Sequence, residues 1–201
     1  MDKKFNIVVV DDTMGEKDPF VVELKLEFQN NAIVSYFRGV EDAMSFVDAH
    51  MSERIILIMD CRFGSVWQGI DAVKKLREKT SLISVIMISA NNVTQLSNSD
   101  ITTLINTDNI YFIKNTDIEG AKEKINLICR LWDSRFDCVL EEWILRHPED
   151  NDKEAYSELS TGKTYTWADI LDELRHQTPA GKSFEQKLNE YYLYQLSRAK
   201  K

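Results

Sequence analysis

The stretch Arg54-Ile55-Ile56-Leu57-Ile58-Met59-Asp60 constrains the fold more than any other part of the chain. Five consecutive apolar residues running into a carboxylate read as a strand buried on both faces, the environment of a parallel sheet covered by helices. Ligands of open α/β sheets bind outside the carboxyl ends of the strands, which puts Asp60 on a functional edge. Three more runs deliver polar groups to that edge. Ile7-Val8-Val9-Val10 ends in Asp11-Asp12, Val85-Ile86-Met87-Ile88 ends in Ser89, and Ile110-Tyr111-Phe112-Ile113 ends in Lys114.

Between the runs lie helical signals. Asp18-Pro19 is an N-cap followed by proline at the first helical position, with Phe20, Leu24 and Phe28 on one face. Ala32 to Phe37 is a strand, and Val40 to about Met51 a helix. A helix over roughly 69–79 follows the Cys61–Gln68 loop. Residues 91–108, rich in Ser, Thr and Asn, are weakly helical. Strand and helix alternate five times, which predicts a flavodoxin-like, doubly wound parallel α/β sheet of strand order 2-1-3-4-5.

Residues 117–147 carry apolar side chains at three- and four-residue steps, from Ile118 through Trp132 to Trp143, as one long helix or two joined ones. Half of that length closes the first domain. The remainder reads as packing against the C-terminal region, with a homodimer seam or signalling helix as the sharper alternative. His147-Pro148 stops it, and the acidic residues 149–154 read as a linker. Beyond them, Thr166-Trp167-Ala168-Asp169 has the form of a capping box, Thr178–Gly181 reads as a turn, and Lys182 to about Ser197 as a last helix. The expected organisation is 1–130, a helical connector 131–147, and a small, mainly helical region 148–201.

Composition narrows the function. A net charge of −8 over 201 residues argues against a nucleic-acid binder driven by bulk electrostatics. Residues 148–201 hold eight Lys and Arg against ten Asp and Glu and offer no helix-turn-helix, so a DNA-binding regulator is the weaker reading. No apolar run approaches a membrane span, and the first strand begins too early for a signal peptide. Cys61, Cys129 and Cys138 suit a reducing compartment, which reads as cytoplasmic and bacterial. His50, His147 and His176 lack ligand spacing for zinc. Thr161-Gly162-Lys163-Thr164 ends like a phosphate loop, but Ser157 stands where the earlier glycine belongs.

Three carboxylates on one edge repel one another, each ionised pair at 4 Å by about 4 kcal/mol at an effective dielectric of 20. Either a carboxyl pKa rises or a cation joins them, and hard oxygen donors suit magnesium. A carboxylate also attacks phosphorus to form an acyl phosphate.

With Asp11-Asp12 after the first strand, Asp60 after the third, Ser89-Ala90 after the fourth, and Tyr111 three positions before Lys114, residues 4–130 resemble the receiver domain of two-component response regulators. The resemblance implies that Asp60 accepts a phosphoryl group from a sensor histidine kinase or phosphotransfer protein. It implies magnesium held by Asp12 and Asp60, by Asp11 through water, and by the backbone carbonyl of Arg62. Ser89 would contact the phosphoryl group, Lys114 would pair with it, and Tyr111 would change rotamer on activation. Such a chain is a signalling switch rather than an enzyme, with an unnamed downstream protein reached through the C-terminal region. Two departures stand out. Asn115 replaces the family's usual proline, so the loop after Lys114 is expected to take another path. The loop after Asp60, Cys-Arg-Phe-Gly-Ser-Val-Trp-Gln-Gly, lacks the family's usual Met-Pro pair and is one residue longer than usual. A hydrolase of the haloacid dehalogenase type is the other-class alternative. It needs two aspartates separated by one residue, whereas Asp11 and Asp12 are adjacent.

Overall fold

The computed structural model describes residues 4–90, 96–158 and 161–198. The chain divides into two compact units, Met1–Leu131 and Trp132–Lys201.

In the first unit, β1 (Phe5–Val10), β2 (Ala32–Phe37), β3 (Ile55–Asp60), β4 (Ser84–Ser89) and β5 (Ile110–Lys114) form one sheet in the order β2-β1-β3-β4-β5. Every pairing is parallel. This is the expected doubly wound sheet. Its strand ends are aligned by register, with Val10 beside Met59, Asp60 beside Ile88, and Ser89 beside Lys114. The connecting helices are α1 (Pro19–Glu27), α2 (Val40–Ala49), α3 (Gln68–Lys79), α4 (Asn98–Ile105) and α5 (Ile118–Trp132). Residues 91–95 of the weakly helical segment lie outside the described residues.

The apolar runs explain the layering. Alternate residues of a strand point to opposite faces. Val8, Val10, Leu57, Met59, Val85 and Met87 join Ala43, Val47, Ile70, Val73 and Leu76 of α2 and α3 in one core. The other set, Ile7, Val9, Ile56, Ile58, Ile86 and Ile88, is equally buried. Asp18 caps α1 as read, its carboxylate accepting from the Phe20 N–H at 2.9 Å. An ion pair from Lys122 of α5 to Glu23 of α1, at 3.0 Å, ties those two helices together.

The second unit contains α6 (Phe136–Arg146), a single 3-10 turn at Pro148–Asp150, a hairpin of β6 (Glu154–Ser157) and β7 (Thr164–Thr166), then α7 (Trp167–Arg175) and α8 (Pro179–Arg198). Residues 117–147 thus form two helices rather than one. Part of the segment read as a connector is a wall of this core, where Leu140 packs with Tyr165, Ile170, Leu174, Ala180 and Phe184. The acidic stretch read as a linker contains the 3-10 turn and the start of β6. The Thr166/Asp169 capping box is present in both directions. Thr178-Pro179-Ala180-Gly181 opens α8 instead of forming a separate turn. Its Thr178 hydroxyl accepts from the Gly181 N–H at 3.2 Å, and proline sits at a position where no helical N–H bond is lost. Gly181 lets α8 approach closely, because a Cβ there would collide with the carbonyl of Glu173 on α7.

Candidate metal and phosphoryl site

The carboxyl ends of β1 and β3 bring Asp11, Asp12 and Asp60 together. One oxygen from each lies within 4.8 Å of the others. Asp11 is buried, and Asp12 and Asp60 are half-buried. Among the described residues no Lys or Arg pairs with any of the three. Instead, hydrogen bonds hold them in place. Asp11 Oδ1 accepts from the Thr13 N–H at 2.7 Å, the Thr13 hydroxyl at 2.7 Å and the Met14 N–H at 2.8 Å. The Tyr36 hydroxyl, from edge strand β2, lies 2.8 Å from the Asp11 carbonyl and 2.6 Å from that of Met14, fixing the turn of the chain out of β1. Burial, and then the nearby Asp11 charge, push the Tyr36 pKa up.

Asp60 carries the electrostatic consequence. Burial pushes its carboxyl up to about 6, and the Asp11 charge adds to that. Backbone N–H groups of Arg62 and Cys61 donate to it and pull the other way, and the charge of Asp12 raises it further. A hard divalent cation with oxygen ligands would relieve this repulsion, and three carboxylates at one strand edge are a donor set of the kind magnesium takes. The residues present therefore fit the ion.

The loop after Asp60 is organised around the same cluster. Phe63 and Val66 bond to each other across a tight turn, Phe63 N–H to Val66 O at 2.9 Å and Val66 N–H to Phe63 O at 3.1 Å. Gly64 sits at φ 57°, where glycine is favoured, and its N–H donates to Asp12 Oδ2 at 2.8 Å. The Arg62 guanidinium carbon lies 5.0 Å from the Trp67 ring centroid, a cation–π contact, and its Nε is buried without a hydrogen-bond partner. Gly69, in the first turn of α3, is required for proximity. A Cβ there would strike the carbonyl oxygen of Asp60.

The other candidates fall around this centre. Ser89 is buried at the end of β4. Lys114 is exposed at the end of β5, in register with Ser89. The Lys114–Asn115 peptide is trans, and the Asn115 N–H donates to the Ser89 carbonyl at 3.2 Å. Tyr111 is half-buried on β5, with the Lys124 ammonium 6.0 Å from its ring centroid. Cys61 is fully buried, and burial pushes its thiol up to about 12, so it is an inert packing group. Sequence reasoning missed the Gly64 N–H, the Tyr36 hydroxyl and the closeness of Gly69. Only the glycines gave a signal, standing at positions 64 and 69 of a loop and helix start that pack against carboxylate residues.

No helix among the described residues is long and apolar enough to cross a membrane. No protein-family model matches the sequence, and no curated protein matches it. Solved structures do. The signal receiver domain of a putative Luxo repressor protein from Vibrio parahaemolyticus aligns at TM-score 0.50 and 15% identity, over 71% of this chain and 98% of its own. A probable two-component system response regulator/GGDEF domain protein aligns at TM-score 0.51 and 18% identity, over 65% of this chain and 51% of its own. The five-stranded unit of this protein has the fold of response-regulator receiver domains.

Proposed function

We propose that this chain is a two-component response regulator in which Asp60 is the phospho-acceptor. The observation that carries the reading is the convergence of Asp11, Asp12 and Asp60 within 4.8 Å at the carboxyl edge of the sheet, with Asp60 pushed up to about 6. Such a cluster is relieved by a cation, and a bound cation in turn offsets the charge of an incoming phosphoryl group. Asp12 and Asp60 would hold magnesium directly, Asp11 through water, and the Arg62 carbonyl would complete the protein's share. When bound, the ion neutralises charge on the transferring phosphoryl oxygens.

The reaction is a displacement at phosphorus. An oxygen of the Asp60 carboxylate forms the new O–P bond as the P–N bond of a phosphohistidine breaks. The imidazole leaves with the electron pair and takes a proton from solvent. Ser89 donates its hydroxyl to one phosphoryl oxygen, and Lys114 supplies the counter-charge to another. The acyl phosphate carries roughly −1.5 to −2 charge in place of the carboxylate's single negative charge, held at the end of β3 beside β4. That charge draws Ser89 and Lys114 toward it, frees space for Tyr111 to turn inward, and shifts the equilibrium of the α4–β5–α5 surface. Only the protein's own phosphorylation and dephosphorylation are catalysed, so the chain acts as a switch. A sensor histidine kinase or phosphotransfer protein supplies the group, and the second unit contacts a downstream protein.

The test is intact mass after incubation with acetyl phosphate and magnesium. One added phosphoryl group on the wild type, absent from Asp60→Asn and lost on adding a chelator beforehand, is expected. Equal labelling of Asp60→Asn contradicts the assignment.

A further inference from the structure

Asp11 and Asp12 are adjacent, and neighbouring residues of a strand point to opposite faces of its sheet. For both carboxylates to reach one cluster with Asp60, the chain must leave its extended path there, and β1 ends at Val10. The direction of Asp12 then depends on the peptide plane that joins it to Asp11.

That plane is held from the neighbouring strand. Tyr36 lies in β2 beside Val9 of β1. From there to Asp11 is two residues of strand rise, about 6.6 Å, which the length of a phenol covers. Its hydroxyl reaches the Asp11 carbonyl at 2.8 Å and the Met14 carbonyl at 2.6 Å, the two ends of the turn. A carbonyl only accepts, and a hydroxyl has a single proton to give, so one O–H serves both acceptors. In a planar trans peptide the C=O and the following N–H point opposite ways. Drawing the Asp11 carbonyl toward Tyr36 therefore fixes the Asp11–Asp12 plane, and with it the start of the Asp12 side chain.

The turn is already closed without this clasp. Asp11 Oδ1 accepts from the Thr13 N–H, the Thr13 hydroxyl and the Met14 N–H. What Tyr36 adds is immobility of Asp11 itself. The Asp11 N–H donates to the Phe37 carbonyl at 3.2 Å, its carbonyl accepts from Tyr36, and its Oδ1 is taken by the turn. Among the described residues only Oδ2 is left for whatever the cluster binds. Burial, and then the Asp11 charge, raise the Tyr36 pKa, so the phenol keeps the proton that it donates. We propose that Tyr36 is a positioning residue of the acidic cluster, setting its affinity for a divalent cation by holding the peptide that joins Asp11 to Asp12. The proposal rests on the reading of that cluster as a magnesium site. With its hydroxyl spent on two carbonyls, Tyr36 acts through Asp11 and Asp12 rather than on the ion. Groups that orient a metal's own ligands in this way typically contribute about 10–100-fold in affinity.

The experiment is magnesium titration of the full chain by calorimetry, wild type against Tyr36→Phe, which removes the hydroxyl and keeps the ring. The variant is expected to bind magnesium about tenfold more weakly. With acetyl phosphate as donor, its half-saturating magnesium concentration should rise by the same factor, and incorporation should recover once magnesium saturates. A role in folding alone would lower the urea midpoint and move neither quantity. Glu53→Ala provides that comparison. It removes the 2.6 Å bond to Asn6 at the opposite end of β1 and β3, and should lower the urea midpoint while magnesium affinity stays as in the wild type. Equal magnesium affinity in the wild type and Tyr36→Phe overturns the role of Tyr36 alone. A wild type that takes up no magnesium overturns the reading of the cluster along with it. A measurement on the wild type covers the case of a variant that does not fold. In protein carrying isotope-labelled tyrosine, the Tyr36 ring resonance is expected to shift as magnesium is added and that of Tyr165 to stay. An unmoved Tyr36 resonance overturns the proposal.

Discussion

Each unit of this protein buries carboxylates, and the two do so in opposite ways. In the second unit Asp137 and Glu141, one turn apart on α6, meet Arg175 at the end of α7. Arg175 is 2% exposed and reaches Glu141 with two hydrogen bonds, at 2.9 and 3.2 Å, and Asp137 with one at 3.2 Å. Arg135 closes the network on Asp137 at 2.6 Å. Burial alone would raise the Asp137 carboxyl, but hydrogen bonds from Arg135, and the charges of Arg135 and Arg175, hold it below the usual carboxylate range. In the first unit Asp11, Asp12 and Asp60 meet one another, and burial raises Asp60 to about 6. Charge that is matched within the chain locks helices together. Charge left unmatched at a strand edge marks a place where something charged arrives.

The comparison can be broken most severely at Arg175. Arg175→Met fills similar space but removes the guanidinium that bonds Glu141 and one of the two that face buried Asp137. It should cost about 3–5 kcal/mol, enough to unfold the second unit, read as loss of the near-ultraviolet signal of Trp143 and Trp167. If that loss is under 1 kcal/mol, the network is not what holds α6 to α7. A smaller effect is expected in the first unit from Gly69→Ala. The added methyl collides with the Asp60 carbonyl, and such overpacking costs about 1–3 kcal/mol. Urea denaturation should show that loss, and phosphoryl incorporation should fall with it.

The smallest effect separates the two kinds of carboxylate by pH. In metal-free buffer Asp60 holds its proton up to about pH 6 when folded, against 3.8 for an unperturbed carboxyl. The folded state binds more protons within that window, so stability falls as pH rises through it and stays lower above. Allowing for the solvent that reaches Asp60, the penalty is about 1–2 kcal/mol, and Asp60→Asn should gain that much at pH 7 and nothing at pH 4. Asp137 has the opposite sign. Its depressed carboxyl contributes stability above its unfolded pKa, which is lost as pH falls through the folded one. Urea midpoints against pH for wild type, Asp60→Asn and Asp137→Asn distinguish the slopes.

Much of the first unit was legible because its strands are continuous apolar runs, and a run that ends in Asp60 or Asp11-Asp12 places those residues without ambiguity. The capping box at Thr166 was legible for the same local reason. The rest depends on contacts that no local pattern encodes. The Gly64 N–H reaches Asp12 across 52 positions of sequence. The strands of the β6–β7 hairpin are four and three residues long, too short for a two-residue period to register. The partnership of Arg175 with Asp137 and Glu141 spans 34 to 38 positions, and its acids sit within an apolar helix stripe where nothing local announces a buried ion pair.

Hydrogen exchange with and without magnesium at pH 7 tests the contrast between the units most directly. If the acidic cluster awaits a cation, magnesium should slow exchange in the amides around Asp12, Gly64 and the ends of β1 and β3, and leave those of α6 and α7 unchanged. Asp12→Asn should abolish the slowing. Equal protection in both units, or none around Asp12 and Asp60, would contradict the account.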